Sequence, residues 1–288
     1  MNNPYDSPSF DYEAYRRRNR FFSFLRSDRV WLNILLFLLT VASTYFVSNS
    51  WTYVLSLMGI LFCHEMGHYV AARRYGIRAT LPYFIPMPLP PFGTLGAVIR
   101  MEHVVPNRKA LFDVGVAGPL AGLFVAIPVT IYGLAHSSVV PLSGLSQGTL
   151  QLGDSLLFKF LSYWIVGPVP KGYDVVLHPA AYAGWVGLLV TALNLLPVGQ
   201  LDGGHVVYAM LGGRKSRLVF YLSLLAFAVI LIFFYWGWAL MIVFIVVFAF
   251  KHPPPLDDWT PVGKKRLVLG IFVMVIFFLS FTPVPFKI

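Results

Sequence analysis

The chain has 288 residues, of which 57% are hydrophobic and only 12% charged, and its mean hydropathy is +0.70. That balance excludes an ordinary soluble globular domain and points to a polytopic membrane protein. A formal net charge of +10 would fit a nucleic-acid partner, but the way the charge is distributed along the chain argues against one.

Residues 1–29 are polar, Pro- and Ser-containing and basic, with no apolar region directly after a short charged start. They read as a cytosolic tail and not as a cleaved signal peptide. The rest of the chain, 30–288, reads as one integral membrane domain. Apolar runs at 30–47, 53–75, 110–135, 179–198, 218–234, 238–250 and 266–281 approach or exceed the ~20 residues of a spanning helix. The sixth is short, and the hinge before it, Tyr235-Trp236-Gly237-Trp238, is rich in interfacial aromatics, so six or seven spans are expected. With seven alternating spans and the N-terminus inside, all but three of the 22 Lys and Arg residues (Lys159, Lys171 and Lys287) fall on the inner side. This is the positive-inside pattern. The basic patches are topology signals first, and contact with anionic lipid is secondary.

Inside the second span stands His64-Glu65-Met66-Gly67-His68. On a helix the two histidines project from one face, a spacing that lets both imidazoles bind one Zn²⁺ while Glu65 reaches a water there. Buried ionisable groups are costly in hydrocarbon, so they mark function or a paired partner. The single cysteine, Cys63, excludes an intrachain disulfide; at i−1 it points away from the histidine face and reads as a packing residue.

Between the second and third spans, residues 81–91 carry five prolines, which rules out a regular helix. The segment is still apolar, as suits an extended stretch dipping into the membrane or lining a cavity. A β-branched run with glycines follows at 92–105 and suggests one or two short strands. An open strand edge there, with Gly96, Ala97 and Val98 as candidates, could hold a substrate backbone by β-augmentation; a surface loop packed on the bundle fits equally well. Asp113, read as lying in the first turn of the third span, complements a helix dipole. Gly118 and Gly122 form a small-xxx-small face, for which close helix packing is a sufficient reason. The long outer connection at 136–178 holds an amphipathic piece near 156–164, and His136 and His178 at its ends read as interfacial.

Catalytic zinc sites usually have three protein ligands, and a carboxylate must supply the third. Asp202 is the candidate, in Asn194-Leu-Leu-Pro-Val-Gly-Gln-Leu-Asp-Gly-Gly-His205. The second and fourth spans both run from outside to inside, so His64 and His68 lie in the inner half and Asp202 arrives near the same end. Capping of a helix that begins near Gly203 is the alternative role for this Asp.

With HEMGH at 64–68, Asn194-x-x-Pro197 followed by Leu201-Asp202-Gly203, and Gly118-Pro-Leu-Ala-Gly122 between them, the sequence resembles the site-2 protease family of intramembrane zinc metalloproteases. The resemblance covers roughly residues 55–211, within a catalytic core of about 53–211. It implies one Zn²⁺ per chain on His64, His68 and Asp202, Glu65 as the catalytic base, and transmembrane protein substrates. Asn194, inside the matched motif, would orient substrate or steady the oxyanion, or else make an interhelical hydrogen bond. The chain departs from larger members in lacking a PDZ insertion. The expected setting is a multi-pass location in a prokaryotic plasma membrane, with the N-terminus and the active-site opening cytoplasmic. A non-proteolytic zinc-binding protein or transporter is the alternative from another class, because intramembrane His/Asp/Glu clusters also line transport pathways. A helix-borne HExxH that cuts soluble or lipidated peptides would usually draw its third ligand from a Glu on another helix, and no such Glu is found: Glu102, the only other intervening one, lies in the expected strand region.

Overall fold

The structure is a computed structural model that describes residues 29–102, 104–144, 151–239 and 254–287. The tail at 1–28 and nearly all of the sixth apolar segment lie outside the described residues. The protein is a helical, polytopic membrane protein. Helices α1 (Val30–Ser48), α2 (Trp51–Arg74), α3 (Arg108–Ala135) and α7 (Gly213–Phe233) are each long and apolar enough to cross a membrane. Between α3 and α7 come α4 (Leu156–Ile165), α5 (Pro179–Asn194) and α6 (Asp202–Leu211), and α8 (Lys264–Ser280) follows α7. The centre is built by α2, α3 and α5, whose contact buries Tyr53, Leu57, Phe112 and Trp185 almost completely.

The fourth expected span is shorter as a helix than the apolar run suggests. It stops at Asn194, and the chain turns through 195–201 before α6 begins. Pro197 supplies the reason, since a proline disfavours helix in the residues before it. The 16-residue helix is about 24 Å long. In its irregular sequel Leu195, Leu196 and Val198 are buried within protein, the condition under which non-helical backbone is tolerated at membrane depth.

The proline-rich segment does contain a strand. β1 (Tyr83–Pro86) pairs antiparallel with β2 (Thr94–Val98), with Tyr83 opposite Val98 and Phe84 opposite Ala97. The hairpin runs alongside α1, which is apolar towards lipid and polar towards the protein: its buried residues are Asn33, Thr40, Ser43 and Thr44. Asn33 Nδ2 donates to the carbonyls of Leu81 and Pro82 at 2.9 and 3.0 Å, and Ser43 Oγ donates to that of Gly93 at 2.6 Å. Ten helical residues separate these anchors, about 15 Å along the axis, so the base and the turn of the hairpin sit at different depths. Tyr53 and Tyr182 hold the turn from the other side, donating to the carbonyls of Phe92 and Pro91. A re-entrant hairpin needs such donors because hydrocarbon offers none. Asn33→Leu therefore leaves two carbonyls without their donor and should destabilise the chain by about 1–3 kcal/mol. Thermal unfolding in detergent measures this, and an unchanged melting temperature would mean the anchor contributes nothing.

In the long connection after α3, β3 (Ser138–Pro141) pairs with β5 (Tyr173–Val176), and β4 (Gln151–Leu152) pairs with β6 (Phe286–Lys287). The amphipathic piece expected near 156–164 is α4, which buries Phe158 and Leu161 and exposes Phe160, Tyr163 and Trp164.

Candidate metal centre

Helix α2 starts at a Ser50 cap whose side chain accepts from the Tyr53 amide, and it carries His64, Glu65 and His68 into the interior, all less than 10% exposed. Asp202 is the first residue of α6. Its carboxylate is turned to the histidines, and the N-cap position of the helix it begins is Leu201. His68 Nε2 lies 3.2 Å from His64 Nε2 and 3.1 Å from Asp202 Oδ2, and His64 Nε2 lies 3.3 Å from the same oxygen. Among the described residues, His64, His68 and Asp202 are the group of metal-ligating side chains that converges in this way; Glu102 is not part of it.

The donor set fits a metal ion. His68 Nδ1 lies 2.8 Å from the Val114 carbonyl. A carbonyl can only accept, so Nδ1 carries the proton and Nε2 presents a lone pair. A neutral His68 then has no proton to give Asp202, and its lone pair opposes a carboxylate oxygen at 3.1 Å unless a cation or a further proton stands between them. Four donors at about 2.0–2.1 Å around a tetrahedral Zn²⁺ stand about 3.3 Å from one another, close to the spacing found here. The hydrogen bond from the far nitrogen is also the usual way in which a ligating imidazole is oriented.

The glycines explain how α3 approaches the site. A Cβ on Gly118 would lie 2.0 Å from His68 Nε2, and one on Gly122 3.1 Å from His64 Nδ1. The small-residue face is thus occupied by imidazoles. The close helix crossing is made by Gly67, whose Cβ would lie 2.4 Å from the Ala117 carbonyl oxygen. At the other ligand, a Cβ on Gly203 would lie 1.9 Å from the Leu195 carbonyl oxygen, so the start of α6 packs directly on the turn after α5. Gly118→Ala should therefore displace His68 and reduce bound metal well below one per chain. Metal analysis of the purified protein tests this, and full occupancy in the variant would contradict the packing argument.

The other candidates are placed as follows. The Glu65 carboxylate faces the backbone amide of Ile99, just beyond β2, so Gly96, Ala97 and Val98 lead directly to it. Among the described residues β2 pairs only with β1, which leaves its other edge without a strand partner. Asn194, the last residue of α5, brings its Nδ2 within 3.2 Å of His64 Nε2. Cys63 is partly buried and lines an apolar groove between α2 and α3 with Met66 and Phe124. His136 and His178 pack their rings against Tyr132 and each other between the ends of α3 and α5 and do not join the site.

Asp113 requires a correction. Helix α3 begins at Arg108, so Asp113 lies beyond the first turn and its main partner is not the helix dipole. It is paired with Arg266 of α8 at 2.7 Å. The Val114 carbonyl and the Ile99 amide carry no sequence signature of their own, the Gly118/Gly122 spacing reads in sequence as helix packing although it cradles imidazoles, and Arg266 reads as one more topological charge.

A membrane helix bundle in which HExxH meets a carboxylate delivered from a second helix defines a membrane-embedded metallopeptidase type of protein. A model of Peptidase family M50 matches residues 52–236, more than half of the chain. The chain belongs to that family, the site-2 protease family. It is 31% identical over 256 residues to the probable zinc metalloprotease EGY1, chloroplastic, of Arabidopsis thaliana, covering 83% of this chain and 44% of the relative. It is 30% identical over 237 residues to the probable zinc metalloprotease EGY2, chloroplastic, of Oryza sativa subsp. indica, covering 79% and 41%. The chain thus spans less than half the length of these curated relatives.

Proposed function

We propose that the protein is an intramembrane zinc endopeptidase that cuts within the membrane-spanning segments of other membrane proteins. The observation that carries this reading is the meeting of His64, His68 and Asp202 at 3.1–3.3 Å on a helix of spanning length. The relatives' printed description as probable zinc metalloproteases supports both the metal and the reaction class.

His64 Nε2, His68 Nε2 and an oxygen of Asp202 would hold the zinc. Bound zinc supplies a Lewis acid that polarises a peptide carbonyl and makes water a better proton donor. Glu65, one residue from His64 on α2, takes the proton of the attacking water on its carboxylate and returns it to the leaving amine nitrogen. The Ile99 amide faces that carboxylate from the end of the hairpin. Asn194 Nδ2, beside His64, is in position to donate to the developing oxyanion or to a substrate carbonyl.

A substrate helix shields its amides with its own hydrogen bonds and must unwind before it can be cut. The free edge of β2 offers the extended chain replacement partners, and it ends beside Glu65. Spans containing Gly, Pro or Asn should be the better substrates. The site is proposed to open towards the basic, N-terminal side of the membrane. The sequence expectation of a prokaryotic plasma membrane rests on residues 1–29, whereas the relatives are chloroplastic by name.

The reading is tested with the purified chain in proteoliposomes and a tagged single-span peptide. Cleavage inside the span should stop with a chelator and resume when zinc is restored. Zinc or solute flux without cleavage would instead favour a transporter.

A further inference from the structure

Arg266, the third residue of α8, meets Asp113 of α3 through a bidentate fork: Nε to Oδ1 at 2.8 Å and Nη2 to Oδ2 at 2.7 Å. The Tyr75 hydroxyl, just past the end of α2, donates to the same carboxylate, and Arg266 Nη2 also reaches that hydroxyl at 3.3 Å. Both charged side chains are about one-third exposed, so the pair is partly shielded from the solvent that weakens surface ion pairs. A planar guanidinium fixes both the distance and the orientation of its carboxylate. The cluster therefore ties the inner ends of α2, α3 and α8 at one point.

Asp113 is followed directly by Val114, whose carbonyl accepts the His68 Nδ1 proton at 2.8 Å. Tyr75 is seven residues, about two turns, beyond His68 on α2. The clamp thus grips both partners of the hydrogen bond that sets the tautomer and ring direction of His68: the helix carrying the imidazole, and the helix carrying its acceptor. We infer that Arg266 is a positioning residue for the metal centre, holding α2 and α3 at the spacing at which the Val114 carbonyl orients His68. This rests on the zinc reading of the site. It also extends the functional unit past residue 236, where the family match ends, to α8.

The competing account is that the pair only fastens α8 to the bundle. The two differ in what they predict for metal binding. Full-length protein purified in detergent is stripped of metal, and its zinc affinity is measured by competition with a fluorescent chelator. The visible spectrum of the cobalt(II)-substituted protein reports the ligand geometry. Arg266→Met should bind zinc about ten-fold more weakly, the lower end of the loss seen when groups behind metal ligands are removed, and should shift the cobalt bands. Asp113→Asn, which keeps the side-chain volume, should change both readouts in the same direction. Val273→Ala removes a fully buried contact of α8 without touching the clamp; it should lower the melting temperature and leave affinity and spectrum unchanged. The inference is overturned if Arg266→Met and Asp113→Asn keep wild-type affinity and spectrum while losing only stability. A wild-type chain that takes up no zinc would instead overturn the reading of the site beneath it.

Discussion

Glu65→Gln should keep its zinc and lose its cleavage. The amide has nearly the volume of the carboxylate and keeps an acceptor oxygen towards the Ile99 amide, so the side chain's setting beside the hairpin is retained. What it cannot do is take a proton from water. General acid–base groups contribute about 10²–10⁴-fold, and the cleavage rate of a single-span peptide in proteoliposomes should fall by that order. Metal content, measured on the same preparation, should stay at one zinc per chain. A variant that cleaves at the wild-type rate would remove Glu65 from the mechanism.

Asp202→Asn should behave in the opposite way and lose the metal itself. The His68 Nε2 lone pair and the carboxylate oxygen face each other at 3.1 Å, an arrangement that favours a cation between them. Replacing the carboxylate by a neutral amide removes the charge and a strong oxygen ligand together. Zinc affinity should fall by more than the roughly 10–100-fold that losing a group behind a ligand already causes. Competition with a chelator reads this directly. If Asp202→Asn holds zinc as tightly as wild type, the third ligand lies elsewhere. Run together, the two variants separate a residue that holds the metal from one that moves the proton.

The meeting of His64, His68 and Asp202 was legible in sequence because it is written in side chains at fixed spacing. His64 and His68 share a helix face, and Asp202 sits in a motif that only needed topology to bring it near. The glycines were harder to read. A Gly118/Gly122 pair that cradles imidazoles has the same spelling as one that lets two helices touch, and only the position of His68 distinguishes them. The proline-rich run was legible as non-helical, but its strand register was not, because β1 is fixed by partners on β2 and by Asn33 on another helix. Asn33 itself gave no warning, since one amide in an apolar run acquires meaning only when two carbonyls are placed against it. The Arg266–Asp113 pair joins positions 153 residues apart, and charge counting assigns such an Arg to topology. What local pattern could not supply was backbone acceptors and donors, the Val114 carbonyl and the Ile99 amide, which have no residue identity to read.

Cleavage of other proteins inside their membrane-spanning segments is the activity proposed for this chain. Quantitative mass spectrometry of the membrane fraction from cells carrying either the wild-type chain or Glu65→Gln tests it most directly. Fragments whose new termini fall within apolar spans should be present with the wild type and absent with the variant. Identical fragment sets in the two, or new termini confined to loops outside the membrane, would contradict it.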